Sequence, residues 1–471
     1  MHDELARLDA TAQAELVRTG ELSCLELVDA AIARIERLEP EIRALATHDF
    51  DAARARAADM PGGPQARALA GVPFLIKDLI PYPGLRYALG VRLFETGLPA
   101  NPSPLSERLD AAGLVVLGKS TTSEMGLLGS TETLLHGITH NPWHRERSAG
   151  GSSGGAAAAV AAGMVPMAHA SDGGGSIRIP AAMNGLFGFK PGADRVVPAG
   201  VENMNGLVVE HCVSWSVRDS ALLLSLTERA DQPEPVGHIR GPDRERLRIG
   251  YYRHTLMGQE PCESALSALQ ATIALCRELG HELIEVSPPA IDGAVISRGF
   301  FTLAGAAMAQ VTAIVESRIG RAIGADDLEP FTLALLQWFR QLPADAATLA
   351  VQQLAQAGQQ MRAFLDQVDV ALCPTTPVEV YPLGTLAPTL ERELLLQRTE
   401  TLAGYTPIHN IAGVPAMSVP LFVDGAGLPL GSHFAAGPGG EARLLALAYE
   451  LEAARPWADR RPTVHAQRAT S

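Results

Sequence analysis

The first 58 residues carry a helical pattern. In "SCLELVDAAIARIERLEP" (23–40) apolar residues recur at helical spacing. Ser23 stands where an N-cap is needed, and Glu26, three residues on, completes a capping box. "MPGGP" then interrupts the pattern. From 68 to 235, short apolar runs alternate with Gly-rich turns. "AGVPFLIKDLI" and "GLVVLGKS" predict strands entering turns, "AAAAVAAG" a short helix, and "GMVPMAHASD" a buried strand. The polar, Pro-rich stretch 232–252 predicts a surface excursion before another strand. Residues 262–280 and 300–365 return to long helical patterns, and "VDVALCPTTP" and "IAGVPAMSVPLF" return to strands. The order predicts an α/β fold around one sheet, with no fixed-period repeat. A single domain is expected over 1–471. It would comprise N-terminal helices (1–60), a core (65–235), a mainly helical cap (240–365) and a C-terminal part of the core (366–471).

Composition narrows the function classes. Of 471 residues, 47% are hydrophobic and 19% charged, enough for a sizeable core. Thirty-eight Lys and Arg against 52 Asp and Glu give a net charge of −14, which argues against a large nucleic-acid footprint. The five cysteines are odd in number and scattered without a CxxC, so neither a disulfide framework nor a zinc knuckle is expected. The N-terminus has no apolar segment of signal-peptide type, and the longest uncharged stretch, 148–171, is too weakly apolar to span a bilayer. A soluble cytoplasmic protein with no membrane association is the expectation.

Three motif matches fail on context. "GLVVLGKS" fits the phosphate-loop pattern, but Leu-Val-Val-Leu favours a buried strand over a loop of exposed N–H groups. "GSSGG" (151–155) fits the nucleophile elbow around Ser153, yet no strand precedes it, and nothing marks His409 or His433 as its base. His136, His140 and His144 lie four apart, but Gly137, Asn141 and Pro142 break any helix that would align them as metal ligands. No metal and no cofactor are expected.

Two Gly/Ser turns carry the remaining signal. "GGSSGG" (150–155) and "SDGGGSIRIP" (171–180) bracket one helix–strand unit, a geometry that can return Ser152 or Ser153 to the neighbourhood of Ser176. Gly173, Gly174 and Gly175 leave backbone N–H groups unshielded ahead of a helix, which suits a developing oxyanion. Ser176 would then be a nucleophile in need of a base. Lys77 sits in an apolar run, and a buried lysine can be neutral and serve as that base.

Together, "GVPFLIKD", "NPW", "GGSSGG", "SDGGGSIRIPA", "GFKP", "CPTTP", "AGVPAMSVP" and "GLPLG" resemble the amidase signature family, in order and spacing. The resemblance is strongest over 68–195. Both ends, "DATAQAELVRTGELS" and "LEAARPWADRRP", resemble the nylon-oligomer branch of that family. It implies a large twisted mixed β-sheet wrapped by α-helices and a Ser–cis-Ser–Lys triad. Carried over, Ser176 is the nucleophile, Ser152 the bridging cis-serine and Lys77 the base. The N–H groups of Gly173, Gly174 and Gly175 form the oxyanion hole. Met125, Gly126 and Leu127 match a segment that lines the acyl pocket. The sequence departs from the family where Asp-Thr-Gly-Gly is usual and Asp172-Gly173-Gly174-Gly175 stands here, and at Thr121 and Ala156. None of these touches the triad.

The implied function is hydrolysis of a small-molecule amide, ester or carbamate by a monomer or homodimer, with a pH optimum above neutrality. The alternatives are the amidase subunit of a glutamyl-tRNA amidotransferase complex and an inactive scaffold. The acyl group stays open, because the pocket draws on the divergent segments 125–140, 200–215 and 300–345.

Overall fold

A computed structural model describes residues 3–94, 101–201, 203–204 and 206–467; residues 202 and 205 of the 200–215 stretch lie outside them. The helix Cys24–Ile42 opens as its sequence predicts. Ser23 Oγ accepts from Glu26 N at 3.2 Å, and Ser23 N donates to the Glu26 carboxylate at 2.8 Å. Its apolar stripe, including Leu27, Val28, Ile35 and Leu38, is buried in the main core.

Eight strands form one mixed sheet, in the spatial order Glu282–Glu285, Arg248–Tyr251, Val370–Pro374, Pro429–Ala435, Ala416–Val423, Phe187–Lys190, Val209–Ser214 and Met167–Asp172. The first three run parallel, and every later neighbour pair is antiparallel. A second sheet holds Leu45–His48, Val115–Ser120 and Pro73–Lys77. Within "GLVVLGKS", Val115–Ser120 is a fully buried strand, which a phosphate loop cannot be.

Two strands escape the sequence patterns. Leu45–His48 lies inside the stretch expected to be helical, because it pairs antiparallel with Val115–Ser120. Glu282–Glu285 lies inside the expected cap, yet it pairs parallel with Arg248–Tyr251 and extends the edge of the main sheet. The helix Glu263–Glu278 between them packs on that sheet as well. Beyond that helix, 240–365 holds the helices Gly293–Ile319, Pro330–Phe339 and Ala346–Leu365. Among the described residues, Gly293–Ile319 is long and apolar enough to cross a membrane by length and composition, and 44% of its most apolar window is buried.

The helix Gly154–Ala161 explains the glycine–alanine run. All eight residues are buried, and the helix packs on strands of both sheets. A β-carbon on Gly154 would lie 2.3 Å from Thr131 Oγ1, and one on Gly155 would lie 2.3 Å from Thr121 Oγ1. Larger side chains would push this helix away from Thr121 and Thr131. Lys77, at the end of a strand in the small sheet, meets the end of Met167–Asp172 in the large one.

Candidate active site

Lys77 ends the strand Pro73–Lys77 and is fully buried. Its Nζ lies 2.7 Å from Ser152 Oγ and 3.0 Å from Ser171 Oγ. Burial pulls its pKa down, the carboxylates of Glu210 and Asp172 oppose this, and the balance falls at about 7. The backbone N–H of Lys77 donates to His169 Nδ1 at 3.3 Å, and His169 Nε2 lies 3.0 Å from Glu210 Oε2. The Gly151–Ser152 peptide bond is cis. A β-carbon on Gly151 would lie 2.5 Å from Ser130 O, so the chain passes here only as glycine.

The strand Met167–Asp172 feeds the second glycine turn, which the buried Asp172 organises. Asp172 accepts from Gly175 N at 2.7 Å and from Ile177 N at 3.1 Å. Arg178, opening the helix Arg178–Asn184, donates to it from Nε and Nη2, each at 2.9 Å. Asn410 ties Asp172 Oδ1 at 3.0 Å to Leu207 O at 3.0 Å. Burial alone would push the Asp172 carboxyl up, but the Arg178 guanidinium outweighs it and holds the group well below the usual carboxylate range. This carboxylate fixes the turn that carries Ser176.

The same bonds correct the reading of the glycines. Gly175 N–H is taken by Asp172, so it is not free to meet an oxyanion. Among the described residues, the N–H groups of Gly173, Gly174 and Ser176 make no hydrogen bond. The donor set available to a ligand is therefore displaced toward Ser176.

A cavity of about 150 Å³ brings these elements together. Ser152, Ser171, Gly173, Gly174 and Ser176 line it, as do Met125, Gly126 and Leu127. Met125 has φ of 51° and Gly126 of 71°. A β-carbon on Gly126 would approach Leu79 to 2.8 Å and Ser152 Oγ to 3.4 Å. The helix Gly293–Ile319 adds Ile296, Phe300 and Phe301 to the wall.

Ser153 is directed elsewhere: it is buried, and its Oγ donates to Ser171 O at 3.3 Å. The two histidines considered as partners for an elbow are both buried: His433 Nε2 lies 3.0 Å from Arg178, and the His409 ring lies 4.7 Å from that of His433. Burial lowers the pKa of both. His140–Asn141 and His144–Ser148 pair as a hairpin, which separates the three spaced histidines from any shared helix face. Among the described residues, no cluster of three or more His, Cys, Asp or Glu could hold a metal.

Sequence reasoning missed Ser171, Glu210, Asn410 and Thr406 as neighbours of the site. Thr406 Oγ1 donates to Gly174 O at 2.6 Å from 232 positions away. Ser171 alone carried a signal, since it opens the quoted glycine turn.

The amidase family profile matches residues 26–445. AmiC of Mycobacterium tuberculosis is 37% identical over 471 residues, covering 97% of this chain and 96% of that one. The 6-aminohexanoate-cyclic-dimer hydrolase of Paenarthrobacter ureafaciens is 34% identical over 482 residues, covering 96% of each. The solved structure of 6-aminohexanoate cyclic dimer hydrolase complexed with substrate matches with a TM-score of 0.89 at 31% identity, over 98% of this chain and 99% of that one. The chain belongs to the amidase signature family and is a hydrolase acting on the carbon–nitrogen bonds of amides.

Proposed function

We propose that the protein hydrolyses a small, largely apolar carboxylic amide through an acyl-enzyme on Ser176, with Ser152 and Lys77 as the proton relay. The observation that carries this reading is the 2.7 Å approach of buried Lys77 Nζ to Ser152 Oγ, at a cavity that Ser176 also lines. A lysine with a pKa of about 7 is neutral in half the molecules at pH 7 and accepts a proton. Neutral Lys77 takes the proton of Ser152 as Ser152 takes that of Ser176, and Ser176 Oγ attacks the carbonyl carbon. The oxyanion meets the free N–H groups of Gly173, Gly174 and Ser176. The proton returns through Ser152 to the leaving nitrogen, the C–N bond breaks, and the amine departs. Water then attacks the acyl ester by the reverse relay and regenerates Ser176. Esters and carbamates present the same carbonyl, so a urethane-cleaving activity belongs to the proposal.

Labelling with a fluorophosphonate probe and mapping the adduct by peptide mass spectrometry tests the assignment. The adduct is expected on Ser176 and is expected to disappear in Lys77→Ala. An adduct on Ser153 would instead favour the nucleophile elbow. Turnover that appears only with added partner subunits would favour the amidotransferase reading.

The turn geometry makes a further prediction. Gly175 has φ of 133°, and a β-carbon there would lie 2.4 Å from Thr406 Oγ1. Gly175→Ala therefore displaces the turn carrying Ser176, and misplacement of a reacting group by about 1 Å costs about 10²-fold. Steady-state kinetics on an aryl amide should show that fall in kcat with the circular dichroism spectrum retained. An unchanged kcat would show that the position of the turn does not set the rate.

A further inference from the structure

Among the described residues, the cavity wall is apolar apart from the serines, Thr399 and one carboxylate. Among the described lining residues, Glu400 is the only one with an ionisable side chain. It lies in the last turn of the helix Arg392–Leu402, where the exposed carbonyls at the helix end disfavour a negative charge. It is half-buried, and among the described residues no basic group lies within ion-pair distance of it. Arg398, two positions earlier, donates to Thr385 O at 2.8 Å instead. Among the described residues, the one polar contact of Glu400 is from Ser297 Oγ, at 2.5 Å to Oε1. Ser297 comes from the opposite helix, Gly293–Ile319, and lines the same cavity. Glu400 is thus a half-buried carboxylate beside apolar walls, at the helix end that does not favour it, and without a counter-charge among the described residues. A cationic group arriving in the cavity would supply the missing partner.

Resting on the hydrolase reading, we propose that Glu400 recognises an ammonium group on the substrate. The favoured substrates are then amides that carry a primary amine separated from the scissile bond by an apolar spacer. The spacer packs on Phe300 and Met125, and Ser297 holds the carboxylate oriented toward the cavity. Such an amine is protonated at neutral pH, like the side chain of an exposed lysine.

Two matched pairs test this in the wild-type and Glu400→Gln proteins: ω-aminohexanoyl anilide against hexanoyl anilide, and N-(ω-aminohexyl)benzamide against N-hexylbenzamide. The wild type should favour the amino member of one pair by about tenfold or more in kcat/KM, the value of a hydrogen bond to a charged group. In Glu400→Gln the ratio should fall close to one, and Glu400→Asp should retain part of it. Binding is read apart from chemistry by calorimetry on the Ser176→Ala protein. There n-hexylammonium should outbind n-hexanol about tenfold and lose that advantage when Glu400→Gln is added. Turnover without an amino preference, or a preference that survives Glu400→Gln, would overturn the assignment of Glu400. Ammonium binding through Glu400 without turnover of any amide would count against the hydrolase reading alone.

Discussion

Ser176→Ala is expected to lower kcat for amide hydrolysis by about 10⁶-fold, the cost of removing the proposed nucleophile from a relay that acts as a unit. Adding Lys77→Ala to it should cost almost nothing more, since a base without a nucleophile contributes no proton transfer. Folding should be unaffected. Ser176 is half-buried, and among the described residues its hydroxyl makes no hydrogen bond, so the substitution leaves no orphaned partner. The turn that carries it is held by Asp172, which the substitution does not touch. Single-turnover kinetics and thermal unfolding on the same preparation separate the two effects. A loss of less than about tenfold with unchanged unfolding would remove Ser176 as nucleophile, since a nucleophile is worth far more. The residual rate would then be traced to Ser152, which lines the same cavity.

What the sequence discloses about this site depends on how local each determinant is. The apolar runs at Pro73–Lys77, Val115–Ser120 and Met167–Asp172 are read directly as buried strands, because every residue of each is inside. The capping box at Ser23 and Glu26 spans three residues and is equally legible. Lys77 stands out because a lysine is unusual in such a run. Leu45–His48 has too few residues to show a period, and its strand conformation comes from a partner 70 or more positions away. Glu282–Glu285 forms an edge strand with charged ends, so its pattern is weak. The partners that shape the nucleophile turn are the least legible. Asn410 reaches Asp172 across 238 positions, and no local pattern links them. The engagement of Gly175 N–H by Asp172 is also a property of the folded turn, and it leaves that glycine without a free N–H to offer a ligand. Glu400 sits in a polar, charge-rich helix segment, "ERELLLQRTE", and only the cavity distinguishes it from a surface glutamate.

With Lys77 as the proposed base, the activity is expected to depend on pH with a sign that follows from the burial of that lysine. As the base it must be neutral, and its pKa in the fold is about 7. Below that value each unit of pH should remove about tenfold from kcat/KM, and above it the profile should level off. Lys77→Arg stays protonated throughout and should lose at least about 10³-fold at every pH, with no limb near neutrality. A wild-type rate that is flat from about pH 6 to about pH 9 would remove Lys77 as the base, since a lysine poised near neutrality must titrate across that range. The same shift has a thermodynamic face that needs no substrate. The group titrates near 7 when folded and near 10.5 when unfolded, so between those values the unfolded chain binds the extra proton. This group's contribution to stability therefore rises as pH increases through that window, and it penalises the fold most at and below neutral pH. Lys77→Met keeps an apolar stem without the titrating end, so it should unfold at a higher temperature than the wild type at pH 7. That advantage should shrink as the pH approaches 10. Equal unfolding temperatures for the two proteins across that range would mean that Lys77 keeps its proton in the fold, and a protonated Lys77 has no capacity to draw the proton from Ser152.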